Sequence, residues 1–152
     1  MNKGIEKAFS EGKAFIGFIT SGDPDLETTE KIVYAMDHAG CDLIELGIPF
    51  SDPTAEGPVI QEANVRALSN GVTTDKVFEM INRIRKNTDV PMVFMTYANV
   101  VYSYGIEKFC QKMVEGHMSG MILPDVPFEE KEEFDTVCKE YGLDLISMIA
   151  PT

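Results

Sequence analysis

Short apolar runs alternate along this chain with segments whose apolar residues recur every three or four positions. The runs are Ala14-Phe15-Ile16-Gly17-Phe18-Ile19, Leu43-Ile44-Glu45-Leu46-Gly47, Met92-Val93-Phe94-Met95, Gly120-Met121-Ile122-Leu123 and Leu143 to Ile149. Continuous apolar runs of this length predict strands buried on both faces, as in parallel sheets. Between them, Leu26, Ile32, Val33, Met36 and Ala39 fall at helical spacing. So do Val77, Met80, Ile81 and Ile84, then Ile106, Phe109, Cys110, Met113 and Val114, then Phe134, Val137, Cys138 and Tyr141. A further helix is predicted over about 59–68, and Ile5, Ala8 and Phe9 predict a short helical lead-in within the first 13 residues.

Strands alternating with amphipathic helices predict βαβ units and an α/β fold on a parallel sheet of five strands. After the first strand, Asp23 is expected to cap the next helix, with Pro24 as its first residue. Gly40 is expected to end that helix. Polar residues gather behind the strands, at Thr20 to Asp23, Glu45 to Glu56, Thr96 to Asn99 and Asp125. That is the end of the sheet where α/β folds and barrels build their sites.

Composition narrows the function classes. The 152 residues are 44% hydrophobic and show no linker, so residues 1–152 read as one domain. Asp and Glu number 25 against 13 Lys and Arg, a net charge of −12, which argues against nucleic acid as a partner. No apolar run approaches the roughly 20 residues of a membrane span. The opening residues, Met1 to Glu6, lack the apolar stretch of a signal peptide. Cys41, Cys110 and Cys138 are an odd number without Cys-x-x-Cys spacing, which argues against a disulfide framework and a zinc site and for the cytoplasm. His38 and His117 show no ligand spacing either, so no metal is expected.

Glu45 is the most informative residue, because it interrupts an apolar strand. A carboxylate there carries a desolvation penalty of several kcal/mol unless paired. Two readings fit: a structural glutamate paired with a distant Lys or Arg, or a carboxyl whose raised pKa suits general acid and base work. The loop Ile48 to Gly57, with Pro49 and Pro53 and just ahead of Pro58, is stiff and carries Asp52 and Glu56. Glu56 reads either as a helix-capping acid or as part of a functional loop. Tyr97 and Asp125 read either as helix-cap and turn residues or as parts of a site mouth.

An ordered set of motifs resembles the tryptophan synthase alpha subunit family. It comprises Phe18-Ile19-Thr20-Ser21-Gly22-Asp23-Pro24, then Leu43 to Pro53, then Gly57-Pro58-Val59-Ile60-Gln61. Met95-Thr96-Tyr97-Ala98-Asn99, Pro124-Asp125-Val126-Pro127 and Ile149-Ala150-Pro151-Thr152 complete it, so the likeness runs from about residue 5 to the end. The resemblance implies a TIM (β/α)8 barrel that cleaves indole-3-glycerol phosphate to indole and glyceraldehyde 3-phosphate by a retro-aldol reaction. It implies that Glu45 shuttles protons and that Glu56, where the family usually has aspartate, accepts the indole N–H. Phe18, Ile60 and Met95 match positions lining the indole pocket, and Tyr97 and Asp125 match positions at its mouth. Asp52 and Pro53 match the loop that meets the beta subunit. No cofactor is implied on this chain; pyridoxal phosphate would belong to the beta partner.

A closed barrel typically takes roughly 250 residues. The expectation is therefore an incomplete barrel of about five strands of eight, with strands six to eight absent and with them the usual phosphate site. Open edges at the first and fifth strands would leave room for pairing between chains. A scaffold that binds a beta subunit without catalysis is the non-enzymatic alternative.

Overall fold

In the computed structural model, which describes residues 2–149, five strands form one parallel sheet. They are β1 (Ile16–Thr20), β2 (Leu43–Gly47), β3 (Met92–Met95), β4 (Gly120–Ile122) and β5 (Asp144–Ile146), and their order in space is their order in the chain. The helices are α1 (Lys3–Ala8), α2 (Leu26–His38), α3 (Pro58–Ser69), α4 (Thr74–Ile84), α5 (Ala98–Tyr104), α6 (Ile106–Glu115) and α7 (Glu132–Glu140). Sequential strand order with right-handed crossovers keeps the connecting helices on one face. That is the winding of a barrel; a doubly wound sheet reverses its order partway. With five strands the barrel is an open arc, and β1 and β5 are its edges.

The alternation of side chains along each strand makes two cores. Ile44, Leu46, Met92, Phe94 and Met121 point outward and pack with Val33, Ala67, Val77, Ile81, Phe109, Met113 and Phe134 of the helices. Leu43, Val93 and Ile122 point inward and are covered by Ile5 and Ala8 of α1. Strands with apolar partners on both sides need apolar residues at consecutive positions, which explains the continuous runs. Phe78 meets Phe94 and Phe109 edge to face at 5.5 and 5.2 Å. Phe109→Leu is expected to cost about 1 kcal/mol through those lost ring contacts. A lower urea midpoint with an unchanged slope checks this.

α1 is tied down at its start. The Asn2 backbone N–H donates to the Asp144 carboxylate at 2.6 Å, and the Asn2 amide donates to the Gly142 carbonyl at 2.9 Å. The same side chain caps α1 by accepting the Gly4 N–H at 2.8 Å.

Several boundaries differ from expectation. Asp23 does not cap α2, and Pro24 lies outside it. Asp25 is the cap and accepts the Thr28 N–H at 2.7 Å. Asp23 instead takes both donors of the Arg66 guanidinium at 2.8 Å, a bidentate charged pair stronger than a cap bond. Gly40 does end α2, in the left-handed region at φ 86, with the Cys41 N–H returning to the Met36 carbonyl. Tyr97-Ala98-Asn99 is no turn: it opens α5, a helix whose β-branched, aromatic sequence shows no apolar stripe. β1 starts at Ile16 because the Phe15 N–H is taken by the Asp42 carboxylate. β5 ends at Ile146, opposite the last residue of β4. The lead-in helix is confined to Lys3–Ala8. Ala150, Pro151 and Thr152 of the last motif lie outside the described residues.

The three cysteines are free and buried. Among the described residues no helix is long and apolar enough to cross a membrane, and no group of three or more potential ligands could hold a metal ion.

Candidate active site

Glu45 stands on the inward face of β2, level with Phe18 on β1 and Val93 on β3. Two residues on, Gly47 makes room for an aromatic neighbour: a Cβ there would lie 2.8 Å from the Phe18 ring. Glu45 lines a groove of about 520 Å³ with Leu43, Val93, Ile122 and Ile146. The groove also holds Lys131 and Lys139, but both are engaged elsewhere. Lys139 pairs with Asp135 at 2.8 Å, and Lys131 sits over the Phe128 ring. No ion pair or hydrogen bond to the Glu45 carboxyl exists among the described residues, so the paired-glutamate reading finds no partner there. Burial alone pushes the Glu45 carboxyl above its ordinary range. A carboxyl tuned upward can both give and retake a proton near neutral pH.

The β2–α3 loop carries the second acid. The Tyr97 hydroxyl donates to the Glu56 carboxylate and accepts the Ala55 N–H at 2.9 Å. Gln61 donates to the Glu56 carbonyl at 2.9 Å. The Tyr97 side chain is buried against the Phe50 ring, 5.3 Å between centroids. Burial first, and the bond to Glu56 second, push the Tyr97 phenol up to about 12. Asp125 caps a helix two elements before its own strand: its carboxylate accepts the Ala98 N–H of α5 at 3.1 and 3.2 Å. The connections after β2, β3 and β4 are thus tied to one another at the carboxyl end of the sheet.

Phe18 and Ile60 line one cavity of about 260 Å³ with Ile32 and Val59. Met95 is not among its walls; it packs on the inward face, level with Gly47 and Ile122. Asp52 is exposed and bonded by the Ser51 hydroxyl at 2.5 Å, and Pro53 beside it is half-buried. Glu45 and Glu56 share no hydrogen bond. The sequence did not single out the buried hydroxyls of Thr20, Ser21 and Thr96, which have no hydrogen-bond partner among the described residues. Thr20 ends β1, Ser21 follows it and Thr96 follows β3, all at the end of the sheet that already carries Tyr97 and Glu56. The Tyr97–Glu56 bond was also missed. Sequential strand order places the two connections side by side, but it does not show where the phenol points.

Residues 6–152 match the family model described as tryptophan synthase alpha chain. The tryptophan synthase alpha chain of Alkaliphilus metalliredigens is 49% identical over 140 residues, 92% of this chain and 53% of the relative. That of Petrotoga mobilis is 47% identical over 147 residues, 97% of this chain and 57% of the relative. Among solved structures, the tryptophan synthase subunit alpha of Legionella pneumophila superposes with a TM-score of 0.93 at 40% identity, covering 100% of this chain and 60% of that one. The tryptophan synthase complex of Pyrococcus furiosus gives 0.86 at 36% identity, covering 91% and 57%. The chain spans little more than half the length of the relatives it matches.

Proposed function

Because the chain belongs to the tryptophan synthase alpha chain family, we propose that it carries the proton-transfer part of an indole-3-glycerol phosphate lyase. The observation that carries this reading is Glu45: an inward carboxyl in the second strand, without a partner among the described residues and shifted toward its protonated form by burial. Its proton goes to indole C3. As the bond from C3 to the glycerol chain breaks, the adjacent hydroxyl loses its proton and becomes the aldehyde of glyceraldehyde 3-phosphate. The bond's electrons return to the ring and give neutral indole. The glutamate is then reprotonated from that hydroxyl.

Positive charge develops at the ring nitrogen when C3 is protonated. Glu56 would accept the N–H there, since a carboxylate fixed in place stabilises such charge without reorganising. Phe18 and Ile60, which share a cavity, and Met95 on the inward face supply apolar walls for the ring. Tyr97 and Asp125 hold the mouth. The Asp52–Pro53 loop would meet a tryptophan synthase beta subunit, which would carry the pyridoxal phosphate. Barrels commonly bind phosphate behind strands seven and eight, and the described residues form five strands. Closure of the arc by further strands at the β1 and β5 edges fits that need, and the cytoplasm fits the three free thiols.

The test is indole release from indole-3-glycerol phosphate. The chain is assayed alone and mixed with the part of the Alkaliphilus alpha chain that lies beyond the match. Release on mixing, lost with Glu45→Gln, is the expected result. No release in either condition overturns the reading.

A further inference from the structure

We propose that Tyr97 is a positioning residue for Glu56, its single hydroxyl fixing both the Glu56 carboxylate and the neighbouring Ala55 N–H. In making Glu56 the acid of the site, this rests on the function proposed above; the bond itself and its test do not. The hydroxyl is well placed to serve as a peg. Tyr97 follows β3 directly and is the first-turn cap of α5, whose Ala98 N–H is held in turn by Asp125. Its ring is 3% exposed and lies against Phe50 of the same loop it anchors. A tyrosine so packed has little rotamer freedom left, so its oxygen is a fixed point.

The loop brings two groups to that point. Ala55 gives its N–H to the phenol oxygen, and the phenol gives its proton to Glu56. Each bond polarises the hydroxyl in the sense that strengthens the other. Gln61 holds the Glu56 backbone from the first turn of α3. Main chain and side chain of Glu56 are therefore held from two different elements, α3 and the β3–α5 junction. The pair is also matched in length. Shortening the acid by one methylene withdraws the carboxylate by about 1–1.5 Å, which takes it out of hydrogen-bond range of a phenol that cannot follow.

Tyrosine labelled with 13C at the ring carbon bearing oxygen tests this, with the Tyr97 signal assigned through Tyr97→Phe. In the unaltered chain the Tyr97 signal is expected to titrate at about 12. Glu56→Gln and Glu56→Asp should each move that signal and lower its titration. Tyr104 is the control, since it is pushed up to about 12 by burial and by its own bond to Asp75. Its signal should stay in place. Tyr97→Phe should speed hydrogen exchange at the Ala55 amide by about tenfold or more, the equivalent of one lost hydrogen bond. The proposal is overturned if the Tyr97 signal ignores both Glu56 variants, or if Tyr104 moves with it. Absence of indole release would sink the lyase reading and leave the Tyr97 signal where it is, so the two failures are distinguishable.

Discussion

Glu45→Gln is expected to lower indole release in the complemented barrel by about 10²–10⁴-fold, the range that a positioned general acid and base supplies. The same change is expected to make the chain more stable at neutral pH. Burial raises the Glu45 carboxyl above its ordinary value of 4.5, and no charged or hydrogen-bonding partner among the described residues opposes the shift. The folded chain therefore holds this proton more tightly than the unfolded chain does. The stability that comes from protonated Glu45 is complete below 4.5, and it is lost as the pH rises through the raised folded value. Glutamine is neutral at every pH and loses nothing over that window. Urea midpoints for the two chains should coincide below about pH 4 and separate in favour of glutamine near pH 7. Equal midpoints at both pH values would show that the carboxyl is not desolvated. Opposite signs for activity and stability at one residue are the mark of a group kept for chemistry.

Gly120→Ala should produce the largest loss of folding stability at any single glycine. A Cβ at this position would lie 2.2 Å from the Asp144 carbonyl oxygen and 3.1 Å from its carbon. Both are backbone atoms of the paired strand, so no rotamer change relieves the clash. β4 and β5 must move apart, and the Asn2 bonds to Asp144 and Gly142 go with them. A destabilisation of about 3 kcal/mol is expected, at the upper end for an overpacked site. It should be accompanied by loss of amide protection across Asp144–Ile146. Gly57→Ala is the control, because nothing lies within 4 Å of its Cβ position and its φ is −77. A shift of less than about 1 kcal/mol is expected there. If Gly120→Ala behaves like Gly57→Ala, the close β4–β5 approach does not exist in solution.

β2 and β3 were legible to the residue, because both lie inside the sheet between two cores and so carry apolar residues on both faces. The edge strands were less so. The start of β1 is decided by Asp42, a residue outside it, and the end of β5 by the length of β4. Asp23 had the composition of a cap, and only the folded chain shows Arg66 reaching it from 43 positions away. α5 was invisible because seven residues, about two turns, are too few to carry a helical period. Glu45 stood out because a charge inside an apolar run is expensive wherever the chain folds. The bond from Tyr97 to Glu56 spans 41 positions and depends on where one phenol points, which no local pattern encodes.

The clasp at Asn2 bears on the order in which this protein is made. The Asn2 side-chain amide and backbone N–H find their partners at Gly142 and Asp144, up to 142 positions downstream. On a ribosome, α1 emerges well before its anchor, which follows 140 and 142 positions later. Each βα unit can lay its helices on the outward face as it appears, because those contacts are near in sequence. Ile5 and Ala8 have no comparable early seat, so the inward face of Leu43 and Val93 stays uncovered until Gly142 and Asp144 have emerged. α1 is thus not anchored until β5 has emerged, and until then an assisting chaperone would find apolar surface on the concave side of the arc.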